Sequence, residues 1–266
     1  EFSYLIKLFT TFVAQIRKVN LVIDIGNTAV KFIIFDERGA CIHQYESKNG
    51  DIVPLKRLLE QTPVKRAIIS AVAETDEPLS SFLKAMDPKP LWLNEHTILP
   101  IRNAYGTPHT LGTDRLAAVV GAGVDFPFRN VLVVDVGTCI TYDLITADGY
   151  YCGGNIAPGM RMRFQAMHEH TARLPLVGFE GDWPPPLGHT TKEALTSGVL
   201  WGIKAEIEAY IHILQTKTDN LQVILTGGDG HIFHKQLVKN YKNITIDEVL
   251  VARGLNRILE YNEKEI

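Results

Sequence analysis

The sequence predicts an α/β protein of two lobes built on one plan, and three observations predict it. The first is length and composition: 266 residues, 45% hydrophobic and 21% charged, suit one large globular domain or two modest ones. Disordered, collagen-like and disulfide-scaffold chains are excluded by the same figures. The second is an internal repeat. The third is the alternation of strand-like and helix-like runs after each copy of that repeat, the pattern of layered α/β folds.

The repeat pairs Leu21-Val-Ile-Asp-Ile-Gly-Asn-Thr-Ala-Val-Lys-Phe-Ile-Ile-Phe-Asp36 with Leu132-Val-Val-Asp-Val-Gly-Thr-Cys-Ile-Thr-Tyr-Asp-Leu-Ile-Thr146. Asp24 answers to Asp135 and Gly26 to Gly137; with one residue dropped in the second copy, Thr28 meets Thr138 and Phe32 meets Tyr142. The turn glycines Gly39 and Gly149 correspond as well. Two copies are too few and too distant for a solenoid, so each reads as the seed of one lobe. The expected organisation is an N-terminal extension over 1–19, a first lobe over 20–125 and a second over 126–266, with a ligand cleft between the lobes.

Each copy is an apolar strand ending in Asp-x-Gly, a tight turn and an antiparallel return strand. After the first copy come a third strand at Cys41–Ser47, a helix near Val53–Gln61, a strand at Val64–Val72 and a helix near Leu79–Met86. After the second, Thr191–Gln215 reads as a long helix with Leu195, Val199, Ile203, Ile207 and Ile211 on one stripe. A strand at Val223–Thr226 runs into Gly227-Gly228, and Val249–Tyr261 closes the chain as a helix.

A carboxylate beside a glycine turn is a device for phosphate and metal. The turn exposes backbone N–H groups to a phosphate, and the carboxylate holds hydrated Mg²⁺. Asp24-x-Gly26-Asn27-Thr28, with Lys31 adding positive charge, has this form, and Asp135-Val-Gly137-Thr138 repeats it. Two such turns are what a nucleoside triphosphate with cations requires. Neither GxxxxGK[ST] nor GxGxxG after a strand occurs. Gly227-Gly228 is either a close approach for a flat base or a plain strand-to-helix turn, and Gly153-Gly154-Asn155-Ile156-Ala157-Pro158-Gly159 either lines a ligand or reverses the chain ahead of a helix at Met160–Thr171. Gly112-Thr113-Asp114-Arg115 heads an apolar helix. It offers a general base beside an anion clamp, or else a helix cap with a surface partner.

Other classes are disfavoured. The 27 Lys and Arg against 30 Asp and Glu give a net charge of −3, no field for a phosphate backbone, and Trp92, Trp183 and Trp201 lack interleaved basic residues, so a nucleic-acid partner is not expected. Cys41, Cys139 and Cys152 fall in no CxxC pair, which suits a reducing compartment and a cytoplasmic location. The histidines do not form a zinc pattern. Pro184-Pro185-Pro186 reads as a rigid surface loop. Residues 1–18 carry a helix-like apolar period interrupted by Lys7, too short for a membrane span, so the expectation is an appendage packed on the body, or a helix lying on a membrane surface.

Taken together, Asp24-Ile-Gly-Asn-Thr28, Tyr105-Gly-Thr-Pro with Leu111-Gly-Thr-Asp-Arg115, Val133-Val-Asp-Val-Gly-Thr138, Gly153-Gly-Asn-Ile-Ala-Pro-Gly159, Thr191 with Gly198, and Thr226-Gly-Gly228 resemble the type III pantothenate kinases. That family lies in the actin-like and sugar-kinase-like phosphotransferase superfamily. The likeness runs from about Asn20 to the C-terminus. It implies two duplicated ribonuclease-H-like, actin-like ATPase lobes with the nucleotide cleft between them, ATP with Mg²⁺ and a monovalent cation (K⁺ or NH₄⁺) as cofactors, pantothenate as substrate, and a homodimer.

The resemblance also implies roles. Asp24, Ile25, Gly26, Asn27, Thr28, Ala29, Val30 and Lys31 would form the first phosphate loop, with Asp24 near Mg²⁺ and Thr138 touching ATP. Asp135 would bind the monovalent cation. Tyr105, Gly112, Thr113, Asp114, Arg115 and Thr191 would line the pantothenate pocket, Thr191 from the partner subunit, with Asp114 as catalytic base and Arg115 on substrate or phosphoryl charge. The sequence departs from the family in residues 1–18, which precede its usual start, and in Cys139, where Ala is more usual. On the residues alone a non-enzymatic ATP-binding regulator and a related kinase or phosphatase of another substrate stay open.

Overall fold

The computed structural model describes residues 19–47 and 51–264, and the helix expected over 1–18 lies outside them. The chain divides into two compact units. Of the described residues, those within 19–99, 112–114 and 252–264 make up the first, and 100–111 and 115–251 the second.

In the first unit, β1 (Val19–Ile25), β2 (Val30–Phe35) and β3 (Cys41–Ser47) form an antiparallel meander, followed by α1 (Val53–Gln61), β4 (Val64–Ala71), α2 (Glu77–Ala85) and β5 (Leu91–Trp92). The sheet order is β3-β2-β1-β4-β5, with β4 and β5 parallel to β1. Strand β1 is buried throughout except at Asp24, as a central strand covered on both faces must be. Leu21, Ile23, Phe32, Ile34, Leu55, Ile69, Leu79 and Leu83 pack together on one side of it.

The second unit holds β6 (Arg102–Asn103), a 3₁₀ turn at Pro108–Thr110, most of α3 (Thr113–Asp125), β7 (Val131–Val136), β8 (Cys139–Ile145), β9 (Tyr150–Pro158), α4 (Met160–Glu169), α5 (Thr191–Gln215), β10 (Gln222–Thr226), α6 (Gly230–Leu237) and β11 (Ile244–Ile246). The order β11-β10-β7-β8-β9-β6 repeats the first sheet strand for strand, with β6 added at the edge. Even the turns agree: Gly39 and Gly149 both have positive φ, 76° and 81°, and each donates its N–H to the carbonyl three residues back, Asp36 and Thr146. The duplicated α/β architecture expected from the repeat is therefore present.

The units divide differently from a cut at 125/126. β6 pairs with β9, and Ala118, Val119 and Ala122 of α3 bury against Val131, Val133 and Ile145, which draws 100–111 and the body of α3 to the second sheet. The closing helix α7 (Leu250–Lys264) belongs mostly to the first unit, where Asn256 Oδ1 accepts from Asn20 Nδ2 at 2.8 Å and Glu263 pairs with Arg66. Helix α5 carries the expected stripe, every member buried, against β7, β8 and β10. Its cap is Thr190, whose hydroxyl accepts from Glu193 N–H at 3.2 Å while Glu193 accepts from His189 N–H at 2.8 Å; Thr191 is the exposed first residue of the helix. Among the described residues no helix is long and apolar enough to cross a membrane.

Candidate active site

In the first unit the Asp-x-Gly turn closes as the sequence predicts: Gly26 N–H donates to the Ala29 carbonyl at 3.0 Å, leaving Asn27 and Thr28 exposed at the tip. Asp24 lies opposite Lys31 in the antiparallel register and opposite Ser70 in the parallel one. Ser70 is fully buried, hydrogen-bonds the Asp24 carboxylate, and places its Oγ 3.0 Å from Thr113 Oγ1. Asp114 follows in the first turn of α3, where the helix dipole favours a negative charge. Thus the ends of β1 and β4 and the head of α3 bring Asp24, Lys31, Ser70, Thr113 and Asp114 together.

Asp24 Oδ1 is buried and has no hydrogen-bond partner among the described residues. Burial, then the charge of Asp114, push the carboxyl up to about 6, against the opposing pull of Lys31 and the Ser70 hydrogen bond. A carboxylate oxygen without a protein donor is what a hydrated divalent cation needs, since Mg²⁺ takes one or two carboxylates and keeps its waters and substrate phosphates. No group of three or more His, Cys, Asp or Glu among the described residues is placed to hold a metal, so an all-protein cage is not what this site offers.

The second unit reproduces the arrangement. Gly137 N–H donates to the Cys139 carbonyl at 2.9 Å, the turn one residue shorter as the alignment of the repeats requires. Asp135 lies opposite the buried Thr226 as Asp24 lies opposite Ser70. Gly227 takes φ +85°, and a Cβ there would sit 2.3 Å from Asp135 Oδ1 and 2.6 Å from the Val136 carbonyl. Only glycine therefore lets the backbone pass this close to the Asp135 carboxylate. Of the two readings of Gly227-Gly228, the close approach is to the protein's own Asp135 at Gly227, while Gly228 faces open space.

Tyr105 and Arg115 meet in the second unit. Arg115 is buried and donates from Nε (3.1 and 3.2 Å) and Nη2 (2.6 Å) to the Asp143 carboxylate, which also accepts from Tyr151 OH at 2.7 Å. Burial opposes the guanidinium's charge, but the Asp143 hydrogen bonds and charge outweigh it and raise its pKa. Burial and Asp143 likewise raise the Tyr151 hydroxyl, keeping it a donor. Of the glycine run, residues 153–158 lie in β9 and Gly159 is the N-cap of α4, so the chain turns into the helix only at its last residue. Thr191 lines a separate apolar cavity of about 700 Å³ with Met162, Arg163, Met167, Leu174 and Leu195. Trp183 and Trp201 pack edge to face, and Trp201 Nε1 donates to the Pro184 and Pro185 carbonyls, pinning the proline loop.

Sequence reasoning missed Ser70, Asp143 and Tyr151, and quoted Thr226 without giving it a role. A signal existed for two of them. Ser70 interrupts the apolar run of β4, and Asp143 stands where the first copy of the repeat has the buried Ile33.

A family model described as type III pantothenate kinase matches residues 20–213. The type III pantothenate kinase of Bacteroides fragilis (strain YCH46) is 44% identical over 248 residues, 93% of this chain and 100% of that one. That of Phocaeicola vulgatus is 44% identical over 92% of this chain and 100% of its own. Among solved structures, a conserved Baf family protein from Campylobacter jejuni superposes with a TM-score of 0.57 at 23% identity, covering 92% of this chain and 99% of that one. The activator of the 2-hydroxyisocaproyl-CoA dehydratase from Clostridium difficile, with bound ADPNP, gives 0.52 at 13% identity, covering 93% and 98%. The structural likenesses show the fold, a two-sheet actin-like and sugar-kinase-like one. The matched length and the identity to whole relatives show more: the chain belongs to the type III pantothenate kinase family.

Proposed function

We propose that Asp114 is the general base in the reaction of this family, ATP-dependent phosphorylation of pantothenate to 4′-phosphopantothenate, the first step of coenzyme A biosynthesis. The observation that carries the reading is the convergence of Asp24 and Asp114 at the ends of β1 and α3, linked through Ser70 and Thr113, with one Asp24 oxygen buried and without a hydrogen bond among the described residues.

Phosphoryl transfer asks little covalent chemistry of a protein, so positioning and charge neutralisation dominate. Asp114 takes the proton of the primary hydroxyl as its oxygen approaches the γ-phosphorus. In the first unit Lys31 and the turn that follows Gly26 are assigned to phosphate, and in the second Thr138 is. Asp24 would hold Mg²⁺ and Asp135 a K⁺ or NH₄⁺ ion, and these cations would supply charge neutralisation at the phosphates. Tyr105 and Arg115 of the second unit border the acceptor pocket.

Thr191 completes the pocket from the partner of a homodimer. Exposed Ile156, Met162, Leu176 and Leu187 on the same unit support such an association. The three free cysteines fit a cytoplasmic reaction. One assay tests the whole: with ATP, Mg²⁺ and K⁺ present, ADP forms only when pantothenate is added. ADP release indifferent to pantothenate overturns the reading.

A further inference from the structure

We propose that Asp143, Arg115 and Tyr151 form a buried positioning network that holds the Tyr105 ring as a wall of the acceptor pocket, and so sets affinity for the acceptor and not for the nucleotide. The proposal rests on the reading above that Tyr105 borders that pocket.

Asp143 is fully buried in the middle of β8, a strand otherwise built like β2. The repeat shows that an apolar residue suffices structurally at this position, because Ile33 occupies it in the first unit and is equally buried. A buried carboxylate is costly unless paired, and replacing a buried ion pair by apolar residues is often neutral or stabilising. Stability alone therefore gives no reason for Asp143. Orientation does.

The carboxylate fixes Arg115 through Nε and Nη2 and fixes Tyr151 through its hydroxyl. Both then bear on Tyr105. The Arg115 guanidinium carbon lies 5.6 Å from the Tyr105 ring centroid, and Arg115 also hydrogen-bonds that side chain. The Tyr151 ring stacks on Tyr105 at 6.0 Å and 11°. The glycines of β9 serve the same contacts. A Cβ on Gly153 would lie 3.3 Å from Tyr105 Cδ2, and one on Gly154 would lie 2.5 Å from Asp143 Oδ1 and 1.9 Å from the Tyr142 carbonyl. Tyr105 is left only partly exposed, its ring plane determined from behind. Asp143 and Tyr151 touch neither substrate and act through Tyr105 and Arg115.

The test is steady-state kinetics on Asp143→Asn, Tyr151→Phe, Tyr105→Ala and the double variant Tyr151→Phe/Tyr105→Ala, each with both substrates varied. Loss of a hydrogen bond to the buried carboxylate should raise KM for pantothenate by about tenfold in Asp143→Asn and Tyr151→Phe, with KM for ATP unchanged. Tyr151→Phe keeps the ion pair, so it reads the network even if Asp143→Asn fails to fold. In the Tyr105→Ala background Tyr151→Phe should add nothing, the non-additivity of residues that act in series. A parallel rise in both KM values, a fall in kcat alone, or additive effects overturns the network. If Tyr105→Ala raises KM for pantothenate but Tyr151→Phe does not, the network alone fails; if Tyr105→Ala leaves that KM unchanged, the pocket assignment fails with it.

Discussion

Ser70 Oγ lies 3.0 Å from Thr113 Oγ1, and the same Ser70 hydroxyl hydrogen-bonds Asp24. One fully buried side chain thus ties the strand that ends in the Asp24 turn to the head of the helix that carries Asp114. The second unit has Thr226 at the matching place beside Asp135. A hydroxyl on the parallel neighbour of each acid-tipped strand is therefore part of the duplicated plan.

Ser70→Ala removes a donor to a buried carboxylate, which should cost about 1–3 kcal/mol. For a chain of this size that lowers Tm by several degrees, roughly 2–4 °C per kcal/mol. Turnover should fall with it, because Asp24 and Thr113 lose their shared anchor. Unchanged melting and unchanged kcat would show the bridge to be idle.

Asp24 should destabilise the metal-free, nucleotide-free protein at neutral pH. Its folded pKa of about 6 exceeds the ordinary 3.8, so the native state holds a proton that the unfolded state has released between those values. Stability therefore declines as pH rises from about 4 to about 6, and the penalty is complete above about 6, at most about 3 kcal/mol. Asp24→Asn should melt higher than the parent at pH 8, with the gap closing by pH 4, while losing activity. A gap of the same size at pH 4 and pH 8, or none at pH 8, would contradict the assigned burial.

Substitution of Gly227 tests the proposed cation role of Asp135. Alanine at φ +85° is strained on the order of 1–3 kcal/mol, and its Cβ would intrude on Asp135 Oδ1. Activity of the parent should drop when Na⁺ replaces K⁺ or NH₄⁺, and Gly227→Ala should require more K⁺ for half-maximal rate. A parent enzyme indifferent to the exchange removes Asp135 from cation binding.

Much of this was legible in the sequence because local chemistry dominated. The buried apolar runs of β1, β2, β7 and β8 and the stripe of α5 follow directly from burial, and both ends of α5 fall at Thr191 and Gln215 as read. The glycine run of β9 was not legible as a strand, since Gly153 and Gly154 meet a tertiary demand: room for Tyr105 and Asp143. The short strands Leu91–Trp92, Arg102–Asn103 and Ile244–Ile246 carry too few residues for any periodicity to show. Ser70 and Asp143 find Thr113 and Arg115 only through sheet topology, 43 and 28 residues away. The charge of Arg115 was visible as a motif, but its partner was not.

The central claim is that Asp114 accepts the hydroxyl proton while ATP is held by other residues. Asp114→Asn keeps the shape and removes the base. Measured together, its turnover with saturating pantothenate should fall by about 10² to 10⁴ while its ATP affinity stays that of the parent. Turnover close to the parent's would contradict the account.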